Sequence, residues 1–266
     1  REGKGIKLMG KFLVIGDSCT DIHIYGKCNR LSPEAPVPII NPIKVIKNGG
    51  MAKNVKSNLE KMGSKVQIIT NPNNIKKTRY IDEHTNAMLL RVDENDFTSR
   101  VSKDEIKKIK NNAYRDFKFD GLIISDYCKG FLEEEDIETL IKNNKMVFLD
   151  TKKILGEWMY DVDFVKINEN EYTKTEKYIN KEKLKDKLII TRGSRGCEYM
   201  DEICPVPEVD GVKDYSGAGD TFLAGFAHEY INRYTDNHPI TSVYLAIEYA
   251  QECATIVVQK HGVATI

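Results

Sequence analysis

The segment Asp214–Asp220 places an acid beside a glycine-rich turn at the predicted start of a helix. The apolar residues Phe222, Phe226 and Tyr230 recur every four residues and would share one face of that helix. Glycines let the backbone approach a ligand closely, and the free N–H groups of a helix N-terminus favour an anion. A carboxylate at the same place could accept a proton from a group that attacks a bound phosphoryl group. An aspartate that only caps the helix explains the local sequence equally well.

The composition is that of a globular protein with one large domain, or one domain and an appendage. The chain has 266 residues, 41% of them hydrophobic, and its 40 basic and 40 acidic residues cancel. Net charge therefore gives no reason to expect nucleic acid or a membrane as a partner. The six cysteines include no C-x-x-C pair, so we expect reduced thiols and no zinc site. The longest apolar run near the N-terminus, Phe12–Ile15, is too short for a signal sequence or membrane span, and we expect a cytoplasmic protein.

Short apolar runs that each end in polar residues predict a parallel sheet. Helical patterns at 103–113, 133–143 and 169–178 alternate with them, which indicates an α/β fold with helices on both faces of a mostly parallel sheet. Ligands bind at the carboxyl edge of such sheets, so polar residues after all five runs favour a site over ordinary turns. The runs are Phe12–Ile15, Gly121–Ile124, Met146–Leu149, Phe164–Ile167 and Leu188–Ile190, and the polar residues that follow include Asp17, Asp126, Asp150, Asn168 and Thr191.

Two segments interrupt the alternation and predict a small β flap. Residues 21–42 contain four prolines, which suit edge strands or extended loops, and residues 78–93 have the pattern of a hairpin with a turn near 84–86. If these segments pair over the strand ends, they would form a lid that excludes water from a phosphoryl transfer. The prolines are also compatible with a simple surface excursion.

A second glycine-rich point is Asn48–Gly50, which we expect to open a helix over Met51–Met62. Asn54 and Asn58 lie four residues apart and would face the same way. A Gly-Gly pair before a helix is common, so this feature is weak evidence when taken alone.

Together these motifs resemble those of the ribokinase/PfkB carbohydrate kinases. The run Asp214–Asp220 is similar to that family's D-x-x-G-A-G-D signature, and Gly49–Asn54 resembles its first signature, a Gly-Gly followed by an asparagine on a helix. The matches in type and order also include Gly16-Asp17, Asn168-x-x-Glu171 and Thr191-x-Gly193-x-x-Gly196. The resemblance extends from Phe12 to Ile266. It implies a ribokinase-like domain over 11–266 whose lid is formed by about 21–42 and 78–93, with residues 1–10 as a flexible tail.

A narrower resemblance is to the kinase domain of the bacterial D-glycero-β-D-manno-heptose 7-phosphate kinases. It rests on Arg30–Pro38, with the pattern R-x-S-P-E-A-P-V-P, and on Ser125–Gly130 and Asp150–Lys152. The sequence contains no H-x-G-H motif, so we expect no nucleotidyltransferase domain in it. After Val66–Thr70 about one strand–helix unit of the family pattern is missing, which leaves open how that edge of the sheet is paired.

The resemblance implies ATP-dependent phosphorylation of a sugar hydroxyl, with O1 of heptose 7-phosphate as the acceptor and the 1,7-bisphosphate as the product. Asp220 would be the general base, and the N–H groups of Gly217, Ala218 and Gly219 would hold the charge on the transferred phosphoryl group. Two alternatives stay open at this point. One is a kinase for another sugar or a nucleoside, and the other is a catalytically silent relative that binds a sugar or nucleotide.

The remaining site residues follow from the same resemblance. Arg30 and Lys129 would bind the phosphate of the acceptor. The other residues implied to contact the acceptor are Asp17, Asp21, Gly49, Gly50 and Asn54. The residues implied to contact the nucleotide are Asn168, Glu171, Thr191, Gly193 and Gly196, with Cys253 on the helix around 250–254 beside the base.

The expected cofactors and partners are those of such a kinase. Mg²⁺ would bridge the ATP phosphates and be oriented by Asn168 and Glu171, through water. The family pattern also leaves room for a monovalent cation. A sugar phosphate and ATP are the expected small molecules, and a homodimer formed through the lid is the expected assembly.

Overall fold

Residues 9–111, 117–233 and 239–266 are described by a computed structural model, and their strands form two β-sheets. All but the last two residues of the predicted 1–10 tail lie outside these ranges, as does the end of the helix predicted over 103–113. The larger sheet has eight strands and the smaller has four. The predicted α/β class, with a mostly parallel central sheet and a small second sheet, is confirmed.

The large sheet contains all five of the strand runs predicted from the sequence. Six neighbouring strands run parallel, and an antiparallel hairpin forms one edge. In spatial order the strands are β12 (Glu202–Cys204), β11 (Cys197–Tyr199), β10 (Leu188–Thr191), β9 (Phe164–Asn168), β8 (Val147–Thr151), β7 (Gly121–Asp126), β1 (Lys11–Gly16) and β4 (Lys65–Thr70).

Helices cover both faces of the large sheet because its strands are apolar on both sides. Alternate residues of β1 show this: Phe12 and Val14 belong to one buried cluster, and Leu13 and Ile15 belong to another. The first cluster includes residues of α1 (Ala52–Lys61), α5 (Ala218–Arg233) and α6 (Pro239–Val258). The second includes residues of α2 (Lys103–Lys110) and α3 (Glu134–Asn143). A further helix, α4 (Glu169–Thr175), follows β9 directly.

The small sheet takes three of its four strands mainly from the two segments that were predicted to pair. Its order is β3 (Asn41–Met51), β2 (Ser18–Lys27), β5 (Ile75–Asp82) and β6 (Met88–Glu94). The exception is β3, which lies almost entirely beyond residue 42. The pair β2–β5 is parallel, and the outer pairs are antiparallel. The prolines lie in the 28–40 loop and at the start of the edge strand β3, where a missing N–H is tolerated. We call this element the lid sheet.

The glycine pair near residue 50 ends strand β3 of the lid sheet, and the helix predicted over Met51–Met62 follows it directly as α1. Gly49 and Gly50 pair with Thr20 and Cys19 as the end of β3, and α1 begins at Ala52. A Cβ added at Gly50 would lie 1.9 Å from Asp21 Oδ2, so a larger residue could not pass that side chain. The glycines therefore serve the close approach of the two lid strands.

Polar residues gather at one edge of the large sheet, as the sequence pattern predicted. Gly16 is in register with Ser125, and Ser125 with Asp150, while Asn168 is in register with Thr191. Parallel strands in register end side by side, so these positions and the adjoining Asp17 lie along one edge. The lid sheet leaves the large sheet at this same edge, between β1 and β2.

The strand β4 is the end of the large sheet on its parallel side. Four residues after Thr70 the chain enters β5 of the lid sheet, and none of the four is helical. This direct connection agrees with the expectation that a strand–helix unit is missing there. Within the described ranges, none of the helices combines the length and apolar character that crossing a bilayer requires.

Candidate functional site

The N-terminus of α5 forms the centre of the site. The helix begins at Ala218, directly after Gly217, and Asp220 lies in its first turn with only 3% of its surface exposed. Gly217 has φ +84, and a Cβ added there would lie 2.7 Å from Asn54 Nδ2. Glycine is therefore needed at this turn, because any side chain would meet both backbone strain and α1.

Asp220 is held on both carboxylate oxygens by side chains from other elements. The hydroxyl of Tyr127, which follows β7, donates to Oδ1 at 2.6 Å, and Asn54 Nδ2 of α1 donates to Oδ2 at 3.2 Å. Asn58 donates in turn to Asn54 Oδ1 at 3.2 Å, which fixes the orientation of the Asn54 amide. A helix cap alone would not need these partners, so the geometry favours a functional carboxylate.

The electrostatic environment makes Asp220 a weaker acid than an ordinary aspartate. Burial raises its pKa to about 6, the nearby Asp150 carboxylate raises it too, and the Tyr127 hydroxyl, Lys166 and Asn54 oppose this rise. A carboxyl group with such a pKa can both accept and release a proton close to neutral pH.

Asp17 presents a carboxylate oxygen that is free to bind a ligand. Its Oδ2 accepts hydrogen bonds from the backbone N–H groups of Tyr127 at 2.7 Å and Lys129 at 3.2 Å. Its Oδ1 is buried and has no hydrogen-bond partner in the part of the chain that the structure describes. Burial raises the pKa of Asp17, and the Asp126 carboxylate adds to this, while the backbone donors lower it. An oxygen left without a partner inside a protein is suited to a ligand hydroxyl.

Asp21 and the two lid glycines lie on the same side of the site as Asp17. Arg79 of β5 donates to Asp21 Oδ1, and the Cys19 thiol lies 3.4 Å from Oδ2. Asp21 is therefore already paired within the lid sheet. The close approach of Gly50 to this carboxylate places the end of β3 beside it.

Three cations lie near one another at the inner face of the lid sheet: Lys77 and Arg91 belong to it, and Lys129 faces them from the segment after β7. Lys77 is only 8% exposed, and it has no acidic group within ion-pair distance among the described residues. Burial lowers its pKa, and Lys129 and Arg91 lower it further, although Cys19 opposes the shift. Lys129 and Arg91 each have an acidic partner, Asp96 and Asp93 respectively. An anion is the ligand that this arrangement would stabilise.

Arg30 is not brought to these cations. It lies in the exposed 28–40 loop beyond the end of β2, where its carbonyl accepts a hydrogen bond from the Ile39 N–H. With a rise of roughly 3.3 Å per residue, the end of β2 at Lys27 lies about 20 Å along the strand from Asp21. The other residue predicted for the acceptor phosphate, Lys129, is part of the cationic group.

The predicted nucleotide residues occupy the ends of β9 and β10. Asn168 and Glu171 form a capping box, in which Asn168 Oδ1 accepts from the Glu171 N–H at 2.9 Å and Glu171 Oε2 accepts from the Asn168 N–H at 2.8 Å. Glu171 Oε1 accepts from Lys152. The capping box thus fixes the side-chain oxygens of Asn168 and Glu171 at the edge of the sheet.

The turn after β10 is open to a ligand at one glycine and closed at the other. Gly193 has φ +60, and a Cβ added there would have no atom within 4 Å. Gly196 has φ +85, and a Cβ added there would lie 2.1 Å from the Cys204 carbonyl oxygen. Thr191 ends β10 beside Asn168. Cys253 is buried, and its Sγ lies 3.4 Å from the position of a Cβ on Gly225, so its side chain packs between α5 and α6.

No group of three or more His, Cys, Asp or Glu side chains is arranged to hold a metal ion within residues 9–111, 117–233 and 239–266. The edge instead offers the amide of Asn168 and the carboxylate of Glu171, which already has partners on both oxygens. This donor set fits Mg²⁺ that keeps several waters and is bound mainly by substrate phosphates. It does not fit a metal enclosed by protein ligands.

Several residues of the site were not predicted from the sequence. Tyr127 and Lys77 face it, and Lys166 is a buried lysine on β9 whose Nζ donates to Asp150 Oδ2 at 2.7 Å. A lysine within the apolar run Phe164–Ile167 was a signal that could have found Lys166, because a lysine is almost never fully buried without a partner. Lys77 gave no such signal, since its burial depends on how the lid sheet is placed.

Comparisons with known proteins agree with this architecture. A family model described as pfkB family carbohydrate kinase matches residues 63–266. The chain is 30% identical over 305 residues to the bifunctional protein HldE of Helicobacter pylori (strain J99), covering 96% of this chain and 64% of that protein. It is 27% identical over 298 residues to bifunctional protein HldE of Campylobacter jejuni (strain RM1221), covering 96% of this chain and 62% of that protein. The chain thus spans less than two thirds of the length of these relatives.

Solved structures show the same fold. The nucleoside kinase of Methanocaldococcus jannaschii, described as an archaeal member of the ribokinase family, superimposes with a TM-score of 0.67. The alignment covers 96% of this chain and 93% of that one, with 18% sequence identity. At this identity the likeness concerns the fold alone, which is ribokinase-like.

The buried carboxyl group makes a prediction about stability. Folding raises the pKa of Asp220 from 3.8 to about 6, so ionisation of this group destabilises the folded protein. The loss of stability is absent below about pH 4, grows as the pH rises and is complete above about pH 6. Asp220→Asn cannot ionise, so we expect its thermal midpoint, relative to the unsubstituted protein, to rise between pH 4 and pH 7. The expected gain is on the order of 2–3 kcal/mol. Paired melting curves across this range measure it, with exposed Asp104→Asn as the control that should show no such rise.

Proposed function

Because this chain belongs to the pfkB family of carbohydrate kinases, which are phosphotransferases, we propose that it transfers a phosphoryl group from ATP to O1 of D-glycero-β-D-manno-heptose 7-phosphate, giving the 1,7-bisphosphate. The observation that carries the transfer is the buried carboxylate of Asp220 in the first turn of α5. The heptose acceptor is supported by the run Arg30–Pro38 and by the similarity to the HldE proteins.

Asp220 acts as the general base in this proposal. The acceptor hydroxyl binds to Asp220 in place of one present partner and loses its proton to the carboxylate as it attacks. The N–H groups of Gly217, Ala218 and Gly219 face the developing charge on the phosphoryl oxygens, and the dipole of α5 adds to them. Tyr127 and Asn54 hold the carboxylate in place until the acceptor arrives.

Asp17 and the lid strands bind the sugar. The unpaired Oδ1 of Asp17 accepts a sugar hydroxyl, while the two backbone N–H groups keep Oδ2 fixed. Asp21, Gly49 and Gly50 line the opposite side, where the absence of a side chain on Gly50 lets the Asp21 carboxylate lie directly against β3. Closure of the lid sheet over this position excludes water from the transfer.

The cationic group on the inner lid face binds the phosphate that the acceptor already carries. Lys77 is buried without an acidic partner in the described residues, so a phosphate there would remove an electrostatic cost as well as form hydrogen bonds. Arg91 adds the planar group that suits bidentate phosphate binding, and Lys129 a third charge. An acceptor without a phosphate would leave this cluster unsatisfied.

The nucleotide lies at the ends of β9 and β10. Thr191, Gly193 and Gly196 approach its phosphates, with the open left-handed turn at Gly193 as the closest backbone. Asn168 and Glu171 orient Mg²⁺ through water, and the metal neutralises phosphate charge when bound. Cys253 contributes to the wall of the base through the packing of α6, and a monovalent cation stays a prediction.

The proposed base is tested by Asp220→Asn. Removal of the proton acceptor should lower kcat by ~10²–10⁴-fold while ATP binding measured by calorimetry changes little. Asp104→Asn, the same substitution at an exposed residue of α2, is the matched control and should leave kcat unchanged. An Asp220→Asn protein with normal turnover would show that another group accepts the proton.

The acceptor is tested with a panel of sugars. ADP release should be fastest with heptose 7-phosphate, compared with ribose, fructose and fructose 6-phosphate. Lys77→Met should raise KM for heptose 7-phosphate by ~10-fold or more and leave KM for an unphosphorylated sugar within about twofold. Arg30→Ala is the matched control. If Arg30→Ala raises KM for heptose 7-phosphate more than Lys77→Met does, Arg30 rather than Lys77 binds the phosphate.

A silent relative is the alternative of a different class. A protein that only bound sugar or nucleotide would have no use for a buried, costly carboxylate at the start of α5. ATP binding without ADP production on any sugar of the panel would favour this alternative. A kinase for another sugar would instead show its preference directly in the same panel.

The outer face of the lid sheet supports the proposed homodimer. The register places Ile24, Val45, Tyr80 and Leu90 in one row across all four strands. Val45 and Leu90 are 52% and 55% exposed, and no element of the described chain covers them. An apolar sheet face of this kind is a predicted association surface, and a second copy offers an equal face to cover it.

The dimer is tested by charge on this face. Leu90→Lys should convert the dimer into a monomer, because it would bury a lysine near the same lysine of the second copy. Light scattering after gel filtration measures the change. Ile203→Lys, at an equally exposed apolar residue of β12, should leave the dimer intact. A monomeric unsubstituted protein at micromolar concentration would contradict the proposed assembly.

A further inference from the structure

Lys166 is a buried charged residue that none of the roles above explains. It lies on β9 with 4% of its surface exposed, and its Nζ donates to Asp150 Oδ2 at 2.7 Å. Asp150 is itself only 1% exposed. Burial of two charges costs several kcal/mol per ion before their attraction is counted, and such pairs often add no stability. A pair of this kind calls for a reason other than stability.

The position of the ammonium group suggests that reason. A Cβ added at Gly219 would lie 3.0 Å from Lys166 Nζ, so the ammonium lies against the backbone next to Asp220. This place is the N-terminus of α5, where the positive end of the helix dipole disfavours a cation. A purely structural ion pair would gain nothing from that location.

Charges of alternating sign continue from Asp220 through the site. Lys166 faces both Asp220 and Asp150, and Lys152 Nζ lies 3.7 Å from Asp150 Oδ1 and also pairs with Glu171. Asp150 and Asp220 are both buried carboxylates that repel each other. Lys166 is the cation that offsets this repulsion.

The groups that face Asp220 come from several elements. Burial raises the pKa of Asp220, the Tyr127 hydroxyl lowers it, Asp150 raises it and Lys166 lowers it. The other charged or titratable groups of the surroundings are Lys152 at the end of β8, Cys19 on β2 and Lys77 on β5, which lies 5.8 Å from the centre of the Tyr127 ring. Lys166 and Asp150 therefore act on Asp220 in opposite directions.

We propose that Lys166 is a further positioning residue of the phosphoryl transfer: held by Asp150 against Gly219, its ammonium group keeps Asp220 ionised and able to accept the proton. The inference rests on the proposed role of Asp220 as the base. When substrates and the lid exclude water, ionisation of a buried carboxyl becomes harder, and a fixed positive charge opposes this. The hydrogen bond to Asp150 holds the ammonium group against Gly219 and keeps it from pairing directly with the base.

The experiment is the pH profile of kcat/KM in a set of variants. Lys166→Met leaves Asp150 unopposed beside Asp220, so the acidic limb should move to higher pH by about one unit or more. Asp150→Asn leaves Lys166 free to act on Asp220, so the limb should move to lower pH by a similar amount. In the double variant both effects are absent, and the limb should return to within about half a unit of the unsubstituted protein.

Two controls separate this effect from damage to the fold. Lys166→Arg keeps the charge and should keep the limb in place. The double variant removes the buried pair as a unit and is expected to fold even if Lys166→Met alone does not. The ¹³C chemical shift of the Asp220 carboxyl gives the same midpoints without turnover.

A Lys166→Met limb that coincides with the unsubstituted one, or shifts of both single variants in the same direction, would overturn the inference. If the single variants do not fold, a double variant with an unchanged limb supports it, and one whose limb moves by a unit or more contradicts it. Failure of the proposed function is distinguishable, because it appears as normal turnover in Asp220→Asn. An inactive Asp220→Asn with an unshifted Lys166→Met overturns the role of Lys166 alone.

Discussion

The free-energy cost of keeping a carboxylate buried at the start of α5 governs the arrangement of the site. Asp220 is almost inaccessible to water, so its charge must be stabilised by groups the protein supplies. Those groups come from α1, from the segment after β7 and from β9, and two of them, Asn54 and Lys166, have a further partner of their own. The hydrogen bonds that orient Asn54 and the ion pair that holds Lys166 follow from this one requirement.

The two sheets have different tasks, which their burial patterns reflect. The large sheet is apolar on both faces and presents polar groups only at its carboxyl edge. The lid sheet is polar and buried on its inner face, and apolar and half exposed on its outer face. The large sheet thus holds the groups proposed for the transfer, and the lid sheet holds most of those proposed to recognise the acceptor.

Much of this could be predicted from the sequence, because local patterns determine it. The short apolar runs gave the strands, and the signature ending at Asp220 gave the start of α5. The predictions that were incomplete depend on distance in space. Gly49 and Gly50 precede a helix in sequence, but pairing with β2 makes them strand residues. Lys77 and Tyr127 became candidate site residues only in the folded structure, because the burial of Lys77 depends on the lid sheet and Tyr127 contacts Asp220 93 residues along the chain.

The junction between the two sheets has a consequence for how the protein would respond to its ligands. Asp17 is the only residue between β1 and β2, so a candidate sugar contact lies where the lid sheet joins the large sheet. If the lid sheet moves about this junction, the position of the lid and the affinity for the acceptor are coupled through one conformational equilibrium. A molecule that binds preferentially to one lid position would then change the affinity for the sugar, and the sugar would change the affinity for that molecule by the same factor.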